Sequence, residues 1–400
     1  MPYTRQSAPV KVQLGRNLVR QIKRGHAWVY ADALRQAPDV PAGTPAVLLD
    51  NRGGREIARG YLDPSGPIAF RACTTLSGEQ LDDRWATAQM QRALEIRQAL
   101  FGADPKTTAY RLFNGEGDGL PGLVCDVYAQ AAVLLTDGPA PAKFWQVEAI
   151  AGWLAENVRV RAVFHKSRDD SGSRVEQVYG REFEQPVEFR ENGLRFTADL
   201  LEGQKSGFFL DQRANRAQLE PLAKGRRMLN AFGYTGGFSV YAGRGGASHV
   251  VTLDQSAPAL AAAETHWALN GLNPAQHKII ADDAFAYLEN AAKNNQRWDL
   301  VVLDPPSFAP SEASVPAAVK AYTRLITLGA QVTASDGLLA AASCSSHIRR
   351  GQFLEIIEEA VSEARRKAGV LGIYGQPPDH PAPLVMPELR YLKFVLMQLD

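Results

Sequence analysis

The second half of the chain alternates continuously apolar runs with helical patterns, and this alternation restricts its fold. The apolar runs are RMLNAF, HVVTLD, HKIIADD, WDLVVLD and GLLAAASC. Strands that are apolar on both faces and alternate with helices build a parallel sheet covered on both sides. A last strand, RYLKFVLMQL (390–399), follows a Pro-rich loop and suggests an antiparallel return. The sequence therefore predicts an α/β domain with a mostly parallel sheet over residues 190–400.

The first half has a different sequence pattern and predicts further domains, because 400 residues are more than one typical domain core contains. Residues 1–80 read as short strands punctuated by Gly and Pro, which is typical of a β-rich domain. Residues 81–102 show helical spacing and predict a connector. Residues 103–189 predict a small central α+β domain in the order β-β-α-β-β.

Composition excludes several classes of protein. The net charge is +1 and 45% of the residues are hydrophobic, as in an ordinary soluble globular protein. The three cysteines are too widely spaced for a disulfide framework or a zinc site. We find neither an apolar signal core nor a membrane-length apolar run, so we expect a cytoplasmic protein with reduced thiols, no membrane and no metal.

A Gly-rich loop, GYTGG (233–237), follows the first strand of the C-terminal domain. Ligands of such sheets bind outside the carboxyl ends of the strands, where glycines let the backbone approach closely. Asp254 ends the second strand and could accept from both ribose hydroxyls, while Asp282 and Asp283 end the third, where a carboxylate could accept from an adenine amine. The spacing of the dinucleotide fingerprint G-x-G-x-x-G is absent. The set therefore favours S-adenosylmethionine over NAD.

Two further segments predict a reactive centre at the same edge. DPPSF (304–308) follows the fourth strand, so Asp304 and the carbonyls of its two prolines could face a planar polar substrate, with Phe308 stacked on a base. Cys344 ends the fifth strand. A thiolate that adds to carbon 6 of a pyrimidine makes carbon 5 nucleophilic enough to accept a methyl group.

A cysteine needs help to act in this way, because a free thiol has a pKa of about 8.5. The sequence places three candidates close to Cys344: His347, Arg349 and Arg350. We therefore predict a lowered pKa for Cys344. The alternative is a buried structural cysteine, the usual fate of this residue.

The ordered motifs together resemble the bacterial 23S rRNA cytosine-5 methyltransferase family that carries an N-terminal PUA domain. The resemblance covers nearly the whole chain and rests on GRNLVRQIKRGHAWVYADAL, LFNGEGDGLPGLVCDVY, LEGQKSGFFLDQR, NAFGYTGGFSVYA, DPPSF, SCS and PPDHP. It implies a PUA domain, a central domain and a class I methyltransferase domain with a Rossmann-like, seven-stranded sheet. It also implies S-adenosylmethionine as the cofactor.

The resemblance carries roles onto matching positions of this sequence. It implies that Cys344 is the nucleophile and that Asp304 contacts the target base. The implied cofactor residues are Lys205, Arg213, Asn230, Phe232, Tyr234, Thr235, Gly236, Gly237, Asp254, Gln255, Ser256, Asp282, Asp283, Ala284, Phe285 and Asp304. The implied RNA contacts are Pro305, Pro306 and Phe308 in the pocket and Arg16, Lys23, Arg24, His26 and Trp28 in the first domain.

The first 35 residues agree with an RNA partner, since they carry seven Lys and Arg residues against one Asp. Such a basic face can bind phosphates even in a chain that is neutral as a whole. Each part also has a plainer explanation: the basic cluster could be a solvated face, and Trp28 could be a core aromatic. The partner expected is 23S rRNA or its large-subunit precursor, and both a monomer and a homodimer stay open.

Alternatives to cytosine-5 methylation also stay open at this point. Ser307 stands where another class of RNA cytosine-5 enzymes has a second cysteine, so the group that removes the carbon 5 proton is unassigned. Related enzymes with Asp-Pro-Pro loops methylate guanine without a thiol, and on that hypothesis Cys344→Ala keeps its activity. Two further hypotheses are a non-catalytic RNA-binding assembly factor and a small-molecule methyltransferase.

Overall fold

The computed structural model of the chain describes residues 2–36, 38–102, 104–169 and 172–400. It divides into two compact units. The first consists of Met1–Gly193, Ala198–Leu210 and Pro378–Pro387, and the second of Leu194–Thr197, Asp211–Pro377 and Glu388–Asp400. The β-rich, connector and central segments of the sequence all lie in the first unit. Their boundaries at 80, 102 and 189 remain predictions.

Among its described residues, the first unit contains two five-stranded sheets and four α-helices. Their elements are β1 (Val10–Gln13), α1 (Val19–Lys23), β2 (Trp28–Val29), β3 (Pro45–Leu49), β4 (Glu56–Leu62), β5 (Phe70–Thr74), α2 (Asp83–Phe101), β6 (Ala109–Asn114), β7 (Leu123–Tyr128), β8 (Ala131–Thr136), α3 (Pro139–Phe144), α4 (Val147–Asn157), β9 (Ala162–Asp169) and β10 (Gly172–Tyr179). Two further strands, β11 (Val187–Glu191) and β12 (Leu194–Ala198), lie where the chain leaves this unit.

The two sheets of the first unit differ in order. The first runs β1-β3-β4-β5-β2, and the second runs β10-β9-β8-β7-β6. The central region has three strands before its helices where the sequence pattern predicts two. The chain turns at Ala129, whose φ is +51°, and this turn divides one long apolar run into β7 and β8.

The second unit contains one seven-stranded sheet and six α-helices. Its elements are α5 (Arg213–Leu219), β13 (Arg227–Ala231), α6 (Gly237–Arg244), β14 (His249–Asp254), α7 (Ala257–Leu269), β15 (His277–Ala281), α8 (Ala284–Lys293), β16 (Trp298–Leu303), α9 (Val315–Val332), β17 (Thr333–Ser343), α10 (Arg350–Glu363), β18 (Ala368–Tyr374) and β19 (Lys393–Leu399).

The strand order is β15-β14-β13-β16-β17-β19-β18, and only β19 runs antiparallel to its neighbours. Helices cover both faces: α8, α9 and α10 pack on one side, and α6 and α7 on the other. This confirms the predicted seven-stranded, mostly parallel sheet. The segment RGQFLEIIEEAVSEARRKAG (350–369) has a helical sequence pattern that predicts one helix, but α10 ends at Glu363 and the apolar segment AGVLGIY forms β18.

Parallel pairing brings the carboxyl ends of β13 to β17 to one edge of the sheet. Local signals fix the elements there: Ser256 caps α7 by accepting from Ala259 N, and Asp283 caps α8 by accepting from Ala286 N. The motifs after β13, β14, β15, β16 and β17 therefore meet at this edge.

Throughout the described parts of the chain, every helix is too short or too polar to traverse a bilayer.

Candidate active site

The GYTGG loop leaves β13 in an unusual backbone conformation. Phe232, Tyr234 and Gly236 have φ values of +58°, +46° and +76°, in the left-handed region that L-residues seldom adopt. Gly233 has no room for a side chain, since a Cβ there would lie 2.6 Å from Thr252 Cγ2. The loop is thus held tightly against β14. Backbone strain of this kind concentrates at ligand sites.

Asp254, at the end of β14, is tied to this loop. Its Oδ2 accepts from Tyr234 N at 2.9 Å, and its Oδ1 accepts from Ser256 N at 2.9 Å. The side chain is half-buried. A carboxylate has about four acceptor sites, so after these two bonds each oxygen can still accept another. This donor set fits the two vicinal hydroxyls of a ribose.

The acids after β15 are more exposed. Asp283 Oδ1 caps α8, and its Oδ2 accepts from Gln255 Nε2 at 2.8 Å. Asp282 Oδ1 accepts from Asp283 N at 2.8 Å. The next residue, Ala284, is buried, and Phe285 meets Phe232 edge-on with centroids 6.4 Å apart. The pair Asp283–Gln255 therefore joins the ends of β14 and β15.

Asn230 lies buried on β13 directly before the loop. Its Nδ2 donates to Ser239 Oγ at 2.9 Å, and that hydroxyl continues a chain through Thr252 to His277. Its Oδ1 is buried without a hydrogen-bond partner among the described residues. An unsatisfied buried acceptor beside a strained loop is the kind of feature that a bound donor would satisfy.

The DPPSF segment follows β16. Asp304 is half-buried, and its Oδ1 accepts from Gln212 Nε2 at 2.8 Å. Pro305 is buried and Pro306 is exposed. The ring of Phe308 packs against Tyr322, with centroids 4.8 Å apart. Phe308 therefore belongs to an aromatic cluster of the sheet, and its predicted stacking on a base stays a prediction.

Cys344 comes directly after β17 and is half-buried. Its Sγ lies 3.9 Å from the carbonyl oxygen of Pro305. The next residue, Ser345, joins this turn to DPPSF, since its hydroxyl lies 3.1 Å from Ser307 Oγ and accepts from Ala309 N at 3.2 Å. The structure thus places the thiol beside the Asp-Pro-Pro turn, as the order of the strands predicts.

Comparison with known proteins identifies the family of the chain. Residues 139–394 match the family described as S-adenosylmethionine-dependent methyltransferase, and residues 12–75 match a PUA-like domain. A ribosomal RNA large subunit methyltransferase from Deinococcus radiodurans is 40% identical over 98% of both chains. Ribosomal RNA large subunit methyltransferase I from Aeromonas salmonicida is 32% identical over 97% of this chain and 99% of its own. The chain belongs to this methyltransferase family.

Solved structures agree with that assignment. A candidate S-adenosylmethionine-dependent methyltransferase from Streptococcus mutans has a TM-score of 0.84 and 25% identity, covering 97% of this chain and all of its own. A second methyltransferase structure, in complex with S-adenosylhomocysteine, has the same TM-score and identity over 98% of this chain and 100% of its own. S-adenosylmethionine is therefore the cofactor of this methyltransferase, and the residues around GYTGG fit it.

Four further residues predicted to bind the cofactor lie in different parts of the chain. Arg213 is buried at the start of α5, and Thr235 and Gly237 lie in the loop and at the start of α6. Lys205 belongs to the first unit, where its ammonium lies 4.4 Å from the centroid of Phe209. The contribution of Lys205 to cofactor binding stays a prediction.

The predicted RNA contacts in the first unit differ in exposure. Arg16, Lys23 and Arg24 are exposed, whereas His26 and Trp28 are half-buried. The indole Nε1 of Trp28 donates to Glu116 Oε1 at 2.7 Å, and the guanidinium of Arg71 lies over its ring. Trp28 thus has an internal structural role whether or not it touches RNA.

Sequence reasoning missed two residues of the site. Gln212 bridges Asn215 and Asp304, although its segment had been singled out as LEGQKSGFFLDQR. Lys393, at the start of β19, donates to the carbonyl of Ser345 at 2.6 Å. Nothing in the sequence around Lys393 separates it from an ordinary strand residue. The groups predicted to favour the thiolate, His347, Arg349 and Arg350, are all exposed.

Proposed function

We propose that this methyltransferase forms 5-methylcytosine in 23S rRNA, with Cys344 as the nucleophile. The observation that carries the proposal is the position of the Cys344 thiol, 3.9 Å from the Pro305 carbonyl in the turn after the neighbouring strand. The relatives from Deinococcus radiodurans and Aeromonas salmonicida are named as large-subunit ribosomal RNA methyltransferases, which supports rRNA as the substrate class.

The residues of the site have separate tasks in this proposal. Asp254 accepts from the ribose of the cofactor, and the segments around Asn230, Gly236 and Phe285 enclose the rest of it. Asp304, whose Oδ1 accepts from Gln212 Nε2, contacts the target base in this proposal. S-adenosylmethionine supplies an electrophilic methyl group when it is bound.

Cys344 makes carbon 5 reactive by forming a temporary bond. The thiolate adds to carbon 6 of the ring, and the electron pair of the 5,6 double bond becomes available at carbon 5 for methylation. Loss of the carbon 5 proton to a base then restores the double bond and breaks the bond between carbon 6 and sulfur. The thiolate returns unchanged, so the cycle balances without an oxidant or reductant.

The RNA must present an accessible base, because a stacked cytosine could not reach a half-buried thiol. The target nucleotide is therefore flipped out or already unpaired. The exposed side chains of Arg16, Lys23 and Arg24 contribute phosphate contacts, and binding should weaken as salt increases.

Product identity is the direct test. The protein is incubated with labelled S-adenosylmethionine and either unmodified 23S rRNA or large-subunit particles, and the digested nucleosides are separated. We expect label in 5-methylcytidine. Label in a methylguanosine would reject the cytosine assignment and return Cys344 to a structural role. Absence of both label and cofactor binding in calorimetry would support a non-catalytic RNA-binding factor.

A trapping experiment tests the nucleophile itself. RNA that contains 5-fluorocytidine cannot lose a proton from carbon 5, so a thiol adduct should persist after methyl transfer. We expect a covalent protein–RNA complex with the bond at the Cys344 peptide, and none with Cys344→Ala. A matched control is Cys73→Ser, which should still be trapped at Cys344.

A further inference from the structure

A buried cation lies behind the turn that carries Cys344. Lys393 is the first residue of β19 and pairs across the antiparallel ladder with Ser343, the last residue of β17. Its side chain is buried, with 3% of the residue exposed. Its Nζ donates to Ser345 O at 2.6 Å and to Tyr391 O at 2.7 Å. Lys393 therefore fixes the backbone immediately after Cys344.

This lysine is charged at a place where a charge is costly. Both of its acceptors are neutral carbonyls, and no ion pair within the described part of the chain includes it. Burial lowers the pKa of Lys393 to about 8, and the negative charge of an ionised Cys344 acts against this shift. A buried ammonium without a carboxylate is stabilised by any negative charge that forms beside it.

The other titratable groups of this corner already have partners. The Tyr322 hydroxyl lies 2.9 Å from Ser345 Oγ, and burial raises its pKa, so it stays neutral. Asp304 accepts from Gln212, and Asp211 accepts from the Tyr391 hydroxyl at 2.7 Å. Cys344 directly precedes Ser345, so its ionisation would place a negative charge beside the carbonyl to which Lys393 donates.

We propose that Lys393 is a positioning residue that fixes the turn after β17 and supplies the positive charge that favours the Cys344 thiolate. The inference deepens the proposed function and rests on it for its role in catalysis. By reciprocity, whatever the thiolate does to stabilise the ammonium, the ammonium does to stabilise the thiolate. The exposed His347, Arg349 and Arg350 are screened by solvent and are weaker candidates for this task.

The test measures ionisation of Cys344 without substrate or cofactor. The intact protein is treated with labelled iodoacetamide from pH 5.5 to 10, and the rate at the Cys344 peptide is followed by mass spectrometry. In the wild type we expect an apparent pKa below the usual value of about 8.5. Lys393→Met should raise it by about one unit, which slows alkylation at pH 7 about 10-fold.

Two controls make the result specific. Lys393→Arg retains the charge and should keep most of the wild-type rate. Lys166→Met removes another buried lysine that donates to backbone carbonyls, those of Gly203 and Lys205, and should leave the Cys344 profile unchanged. Catalysis provides a second readout, since Lys393→Met should lower kcat while the affinity for S-adenosylmethionine stays the same.

Failure of this inference is distinct from failure of the proposed function. An unchanged alkylation profile in Lys393→Met would overturn the inference even if the product is 5-methylcytosine. An ordinary thiol pKa in the wild type would overturn it without any variant, which covers the case that Lys393→Met does not fold. A methylguanosine product would instead reject the proposed function and leave the alkylation result standing as a statement about the thiol.

Discussion

Two regions of the sheet edge are built in opposite ways. The cofactor edge (residues 230–237, 254–256 and 282–285) is held mainly by backbone N–H groups that donate to the carboxylates at the ends of β14 and β15. The thiol corner (residues 304–309, 322, 344–345 and 393) is held mainly by the side chains of Ser307, Tyr322 and Lys393, which come from three separate segments and meet at Ser345. The first region is a local construction, and the second depends on tertiary packing.

This difference predicts how the two regions respond to substitution. Changes at the cofactor edge should act on cofactor affinity. Changes at the thiol corner should act on the chemical step and leave cofactor affinity alone. Each prediction below either separates the two regions more sharply or shows that the separation is false.

The largest effect is expected for Cys344→Ala. If the thiol is the nucleophile, methyl transfer to cytosine should fall by about 10³-fold or more. Affinity for S-adenosylmethionine should stay within about twofold of the wild type, since Cys344 belongs to the thiol corner and lies outside the cofactor edge. Label transfer and calorimetry on the same preparation measure both quantities. Retained activity would remove the thiol from the mechanism.

Asp254→Asn should produce the reverse pattern. The amide keeps the size of the side chain but loses the charge and half of its acceptor capacity toward Tyr234 N, Ser256 N and the ribose. Loss of charge-assisted hydrogen bonds of this kind costs about 1.5–3 kcal/mol, so we expect affinity for S-adenosylmethionine to fall about 10- to 100-fold. Cofactor binding at wild-type strength would refute the role of Asp254. The matched control is Asp299→Asn, a carboxylate that accepts from Arg227 N at the opposite end of β13.

Tyr322→Phe tests the tertiary construction of the thiol corner. The change removes one of the hydrogen bonds at Ser345 Oγ and leaves the ring packed against Phe308. We expect a loss of about 1 kcal/mol in the free energy of unfolding and a several-fold lower kcat. Calorimetric affinity for the cofactor should not change. A weaker affinity would mean that the corner and the cofactor edge form one coupled site.

The smallest effect on stability at neutral pH is expected for His277→Gln, a substitution at the start of β15. Burial lowers the pKa of His277 to about 4, with a further contribution from the charge of His249. The unfolded chain has a histidine pKa of about 6.5, so it binds more protons than the folded protein between pH 6.5 and 4. The stability contributed by neutral His277 is therefore complete above pH 6.5 and is lost as the pH falls toward 4.

Urea unfolding at pH 7.5, 6 and 5 measures this dependence. The wild type should lose more stability on acidification than His277→Gln, which can still hydrogen-bond Thr252 Oγ1. His266, whose pKa is also lowered by burial, is present in both proteins and cancels in the difference. Equal slopes for the two proteins would show that His277 has the same pKa in the folded and the unfolded protein, which would contradict the lowering by burial.

The sequence predicts the strands, turns and helix starts of the cofactor edge because their signals are local. A glycine turn after an apolar strand, an acid at the end of the next strand and a capping Asp before a helix are each recognisable within a few residues. The same local rules place β16, α9 and the turn of DPPSF. They fail for β18, where a strand follows α10 after a short break, and for the turn at Ala129 that makes a third strand before α3.

The thiol corner could be predicted only in part. The order of parallel strands brings Cys344 to Asp304, because neighbouring carboxyl ends share an edge. Gln212 and Lys393 could not be found in this way. Gln212 reaches the site from the residue before α5 and Lys393 from the start of β19, both far away along the chain, and no sequence signal shows which partner each side chain meets.

The sequence by itself determined the α/β architecture, the cofactor loop and the candidate nucleophile, because periodicity and turn chemistry are properties of short segments. Only the tertiary structure decided that Trp28 bonds Glu116 and that Lys393 lies behind Cys344. The effect of a buried charge depends on the groups that surround it. Those groups are brought together by packing of the sheet, which no short segment encodes.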